Sequence, residues 1–166
     1  LRVIVGILSG GMSSRLFTKL RDEMGVCYYV SAENDAYTDH GAFSVSAGVD
    51  SKRVGEAISA ILKELRKLKT EFINKDELNK VKQSLIGRVQ LGLESSDEVA
   101  NFLGGQEVLG EKLKTSEDII NEIKSVAADE IKFVAERIFK DESLNLAIVG
   151  KFKDDKEFKD ILSFNL

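Results

Sequence analysis

Apolar positions recur at every third or fourth residue over most of this chain, and at every second residue over two short stretches near its N-terminus. Tyr28, Val30 and Ala32 alternate with Tyr29, Ser31 and Glu33, and Phe43, Val45 and Ala47 share a face in Ala42 to Gly48. The turn-rich Asp35 to Gly41 lies between them, which predicts two half-buried strands in an antiparallel hairpin. Val54, Ala57, Ile58, Ile61, Leu62 and Leu65 then fall at helical spacing, so Ser51 to Leu68 reads as an amphipathic helix.

Helix starts and stops divide the rest of the chain. Asn74 with Glu77, and Ser95 with Glu98, have the spacing of capping boxes, the first ahead of a stripe at Leu78, Val81, Leu85 and Val89. Gly104-Gly105 is expected to interrupt or weaken the helix after Ser95, and Gly110 to end it. Thr115 and Asp118 open a short helix, and Asp129 begins another that carries Ile131, Val134, Ile138 and Phe139. Leu144 to Gly150 is the most continuous apolar run in the second half and predicts a third, buried strand. The charged tail from Lys151 frays or adds one short helix.

With no proline and no low-complexity tract, nothing marks a linker, so residues 1–166 read as a single α+β domain: an antiparallel sheet covered by helices. Three strands make a thin sheet, and Leu1 to Leu8 begins as though a buried element were already under way. Both features predict a chain truncated at its N-terminal edge.

The chemistry concentrates in Ser9-Gly10-Gly11-Met12-Ser13-Ser14-Arg15 and the residues after it. Paired glycines free the backbone for positive φ and bare its amides, and Ser13 or Ser14 can cap the helix after them. Leu16, Phe17 and Leu20 lie at helical spacing, Arg21 falls near the helix end, and Gly25 stands where a left-handed residue would stop it. An ordinary glycine turn feeding a helix fits the same residues.

Composition narrows the function classes. The chain is 43% hydrophobic and 31% charged with a net charge of −4, so it carries no electrostatic footprint for nucleic acid or an anionic membrane. No apolar run is long enough to span a membrane. One histidine, His40, and one cysteine, Cys27, cannot make the usual zinc spacings, so no metal site is expected here. Cys27 excludes an internal disulfide, leans the localisation towards the cytoplasm, and is read as a packing residue. A serine triad would have to use His40, in Thr38-Asp39-His40-Gly41, which reads as a turn.

Gly10-Gly11-Met12-Ser13-Ser14-Arg15-Leu16-Phe17, followed by Leu20-Arg21 and by Tyr28 seven residues after that arginine, resembles the second half-domain of the inverzincin peptidases. That is the pitrilysin, insulinase and mitochondrial processing peptidase family, and the likeness covers nearly the whole chain. The resemblance implies one half of a clamshell whose other half carries zinc on an H-x-x-E-H helix, a sequence absent here. It implies that this chain needs no cofactor of its own and is inactive in isolation, with zinc in a partner half of the same or another polypeptide. It maps Arg21 and Tyr28 onto the family's catalytic arginine and tyrosine, which stabilise the oxyanion formed when zinc-activated water attacks a peptide carbonyl. It maps Ser9, Gly10, Gly11 and Met12 onto a substrate-binding glycine-rich loop, with Ser9 where many members have a further glycine.

Three functions are consistent with these residues. The first is the substrate-binding half of a zinc metalloendopeptidase acting on peptides or unfolded polypeptides. The second is a non-catalytic scaffold or presequence-binding subunit of the same fold. The third, independent of the resemblance, is a small-anion site at the Gly10-Gly11 helix start, reinforced by Arg15. A face that normally meets the other half also leaves the isolated chain open to homodimerisation.

Overall fold

Residues 1–110, 112–152, 154 and 156–164 are described in the computed structural model. The opening apolar run forms helix α1 (Arg2–Ser9), with Val3, Ile4, Ile7 and Leu8 buried at helical spacing. A wide turn, Phe17–Glu23, leads into the antiparallel hairpin of β1 (Cys27–Ala36) and β2 (Gly41–Val49). Helix α2 (Val54–Thr70) then turns Val54, Ala57, Ile58, Leu62 and Leu65 inward, as its periodicity requires. It is followed by α3 (Lys75–Leu91), α4 (Ser96–Val108), α5 (Ser116–Ser125), α6 (Ala128–Ile138) and the short α7 (Lys156–Ile161).

The core gathers around α1, which lies against both β1 and α3. Helix α2 meets α6 and α7, and α3 meets α5. The outer edge of β1 is protected by a side chain: Ala32 N–H donates to Ser9 Oγ at 2.8 Å where a further strand would otherwise accept it.

Two sequence expectations about helix limits are corrected. Asn74 accepts from Asp76 N–H at 2.8 Å, but Glu77 does not fold back to complete a capping box, because its carboxylate is taken by Arg15. Helix α4 runs unbroken through Gly104 and Gly105. Each glycine costs ~1 kcal/mol of helix propensity, and a complete Ser95–Glu98 capping box offsets part of that. Gly110, at φ +67°, marks the stop as expected.

The third strand is the larger correction. Leu144 to Gly150 is irregular, and the sheet among the described residues is β1–β2 alone. Apolar periodicity reports a buried or extended conformation; a strand also needs a neighbouring edge to bond with, and no described strand lies in register here. The α+β class stands with a two-stranded sheet.

Thr115 and Asp118 form the expected reciprocal cap: Asp118 N–H donates to Thr115 Oγ1 at 3.1 Å and Thr115 N–H to Asp118 Oδ2 at 2.8 Å. The Thr115 amide, and then its hydroxyl, hold the Asp118 carboxyl below its ordinary value of 3.8. A depressed folded-state pKa means that the cap contributes fully above that ordinary value and is lost as pH falls through the lower one. An NMR titration of Asp118 should give a midpoint below that of the same residue in an unfolded peptide. An unshifted midpoint would show the cap open in solution.

Candidate functional site

Helix α1 ends at Gly10, whose N–H donates to Gly6 O at 3.0 Å, and the chain turns through Gly11, Met12 and Ser13. The glycine pair is free to adopt positive φ, yet only Gly25 and Gly110 do so among the described glycines. Gly10, at φ −69°, is required for a different reason: a Cβ there would lie 2.4 Å from Gly6 O. Gly11 would meet nothing within 4 Å. Ser9 is turned inward, its hydroxyl bound to β1, whereas Met12 stands 79% exposed at the loop tip.

The serine cap is also replaced. Main-chain bonds close the turn, with Ser14 N–H donating to Gly11 O at 3.0 Å and Thr18 N–H to Ser14 O at 2.9 Å. Ser14 Oγ is buried and has no hydrogen-bond partner among the described residues. Arg15 anchors the start of the helical turn to α3 through two parallel bonds, Nε to Glu77 Oε1 at 2.7 Å and Nη2 to Glu77 Oε2 at 2.8 Å. The hydrogen bond to Glu77 raises the Arg15 pKa further, with Glu64 and Glu71 adding to the field. Both side chains are less than a third exposed, and Arg15→Ala should cost about 2 kcal/mol of stability in denaturant unfolding. Arg15→Lys should recover little of it, because an ammonium cannot reproduce the fork. Full recovery by lysine would show that charge alone is needed.

Arg21 and Tyr28 are placed by two irregularities that a regular helix and a regular strand would not produce. Phe17–Glu23 is π-helical, with Met24 N–H donating to Lys19 O at 3.1 Å, five residues back. Leu16 and Leu20 remain fully buried, while Arg21 is carried out to solvent. The hairpin pairs Cys27 with Val49 and Tyr29 with Gly48, so Tyr28 is the extra residue of a bulge. Its side chain is 85% exposed instead of sharing a buried face with Val30 and Ala32. Tyr29 lies over Gly48, where an added Cβ would come within 2.4 Å of its ring.

These two features meet. Arg21 Nη1 donates to the Tyr28 carbonyl at 2.8 Å, and the guanidinium lies 5.3 Å from the centre of the Phe17 ring. The Tyr28 hydroxyl makes no described hydrogen bond, so an exposed phenol stands on the residue whose main-chain carbonyl holds the Arg21 guanidinium. Cys27 next to them is buried, and burial pushes its thiol up while Arg21 opposes, which suits packing rather than nucleophilic reactivity. No described hydrogen bond joins the Ser9–Met12 loop to the Arg21–Tyr28 pair.

The loop instead faces α3 across a groove of about 180 Å³. Lys80, Ser84 and Arg88 line its far wall, and Arg88 Nη2 donates to Gly10 O. No motif in the sequence singled out these three residues, although their spacing of four places them on one stripe of α3.

Residues 1–85 match the family described as the peptidase M16 inactive domain. The chain belongs to that family. It is 31% identical over 148 residues to an uncharacterized zinc protease of Bacillus subtilis, covering 89% of this chain and 36% of that relative. The chain thus spans about a third of the length of the curated relatives it matches. A conserved protein from Enterococcus faecalis is similar in structure, with a TM-score of 0.73 and 27% identity over 82% of this chain and 32% of its own. A peptidase M16 inactive domain from Pseudomonas fluorescens has the same fold, at a TM-score of 0.74 and 17% identity, covering 84% and 34% of the two chains.

Within the M16 framework this is the non-zinc half. Among the described residues, no group of three or more His, Cys, Asp or Glu side chains could hold a metal ion. His40 sits at the hairpin tip, 4.7 Å from the Tyr37 ring centre and with Nδ1 2.6 Å from Asp39 Oδ1, in the turn the sequence predicted.

Proposed function

We propose that this M16 inactive domain is the substrate-binding half of a zinc metalloendopeptidase acting on peptides or unfolded polypeptides. The observation that carries this reading is the joining of Arg21 to Tyr28. A π turn and a β-bulge, both irregular and adjacent in the chain, combine to expose an arginine and a tyrosine whose donors are not all consumed internally. A packing role requires neither residue at that exposure.

Such a pair suits a carbonyl oxygen that gains negative charge under attack. A phenol O–H and a guanidinium held in place stabilise that oxygen more in the transition state than in the ground state. The zinc belongs to the other half, on the same or a separate polypeptide. The Ser9–Met12 loop supplies substrate contact through exposed Gly11 and Met12, while Ser9 and Gly10 hold its base. Helix α4, which buries no residue and exposes Val99, Leu103 and Val108, offers an apolar surface to the closing half.

Complementation tests the reading. The zinc-bearing half and this chain, produced separately, should each leave a denatured protein substrate intact, and mixing them should restore cleavage. Equal cleavage by the zinc half alone would contradict it.

A further inference from the structure

We infer that the groove between the Gly10–Ser14 loop and α3 is a docking site for a peptide carboxylate. The inference rests on the reading that this loop meets a polypeptide, and it adds the chemical class of the group received.

Charge points to an anion first. Of the ionised side chains that line or brace the groove, Arg15 and Glu77 neutralise each other through their paired bonds. Lys80 and Arg88 remain, and neither has an acidic partner among the described residues. Two uncompensated cations face one small concavity in a chain whose net charge is −4. Arg88 spends one N–H on Gly10 O, which ties it to the loop and leaves its other donors for a ligand.

Ser14 lines the groove, but its hydroxyl is closed off from solvent and lies behind the surface a ligand would touch. Ser13 and Ser84 add further hydroxyls at the rim. The Lys80 ammonium and the Arg88 guanidinium carry donors and no acceptor, which favours an anion that accepts several hydrogen bonds at once.

Size sets the remaining limit. About 180 Å³ is the room of roughly six waters, enough for a carboxyl group and its stem. An aspartate or glutamate side chain and a peptide C-terminus present the same group, and the test separates them.

The isotope-labelled protein would be titrated with three pentapeptides of otherwise identical sequence, followed through the amides of Gly10, Gly11, Ser13 and Ser84. One carries a central Glu with an amidated end, one a central Gln with a free C-terminus, and one a central Gln with an amidated end. Either or both carboxylate peptides should bind ~10-fold or more tightly than the neutral one, shifting those amides and weakening with salt. Binding of the first alone assigns a side-chain carboxylate, binding of the second alone a C-terminus, and binding of both a general carboxylate site. Lys80→Glu should remove the preference and Lys80→Arg should retain it. Equal binding of all three peptides, no binding, or shifts confined to other residues would overturn the inference. Carboxylate binding with no rescue of cleavage in the two-half mixture would refute the proposed function and leave the groove assigned.

Discussion

Tyr28→Phe in the intact zinc-bearing polypeptide should lower kcat by ~10² to 10³ while KM and zinc content stay close to wild type. The substitution removes one exposed O–H that has no described hydrogen bond, so a loss of stability cannot account for the fall. Arg21→Ala should lower kcat at least as far, since it removes a cation and also releases the Tyr28 carbonyl that Nη1 holds at 2.8 Å. Arg21→Lys should recover only part, because an ammonium keeps the charge without the planar fork. Tyr29→Phe is the internal control: Tyr29 is the regularly paired residue beside the bulge, its ring lying over Gly48, and its variant should turn over normally. Steady-state kinetics with metal analysis read all four. Wild-type turnover in both Tyr28→Phe and Arg21→Ala would withdraw the catalytic assignment and favour a scaffold.

Gly10→Ala should destabilise the protein by about 2 to 3 kcal/mol in denaturant unfolding. Its new Cβ would fall 2.4 Å from the Gly6 carbonyl oxygen, which belongs to the backbone of buried α1 and cannot swing aside. Gly6→Ala should cost less, since the contact at 2.7 Å is with Val81 Cγ1, a side chain with some freedom to shift. Gly11→Ala should stay within about 0.5 kcal/mol, as its Cβ would enter open space. Gly10 thus serves packing, and any effect of Gly11→Ala on cleavage would report on substrate contact. A Gly11→Ala variant as unstable as Gly10→Ala would refute this division of roles.

The features legible in the chain are those held by local interactions. The hairpin, α2, and the caps at Ser95 and Thr115 depend on neighbours within a few residues, and periodicity or cap spacing reveals them. Glu77 defeated its local pattern because Arg15, 62 residues away, offered a charged fork in place of one backbone amide. Leu144 to Gly150 failed for the opposite reason: its composition favours a strand, but pairing depends on a partner that local sequence does not specify. Arg21 and Tyr28 were legible by resemblance as residues, yet the devices that expose them were not. A π turn and a bulge each insert one residue into a regular repeat, and alternation read across the insertion assigns the wrong face. Lys80, Ser84 and Arg88 carried a helical stripe that was visible in principle. The loop that gives it meaning lies far upstream, where Gly10 meets Arg88 across 78 residues of chain.

The most direct test of the central claim is whether Tyr28 faces the metal of the closing half. The intact polypeptide would be labelled with fluorotyrosine, its zinc exchanged for paramagnetic cobalt, and the signals of Tyr28, Tyr29 and Tyr37 assigned by single Tyr→Phe substitutions. Cobalt should broaden the Tyr28 signal most strongly. Broadening strongest at Tyr37 or Tyr29, or a Tyr28 signal identical in the zinc and cobalt forms, would contradict it.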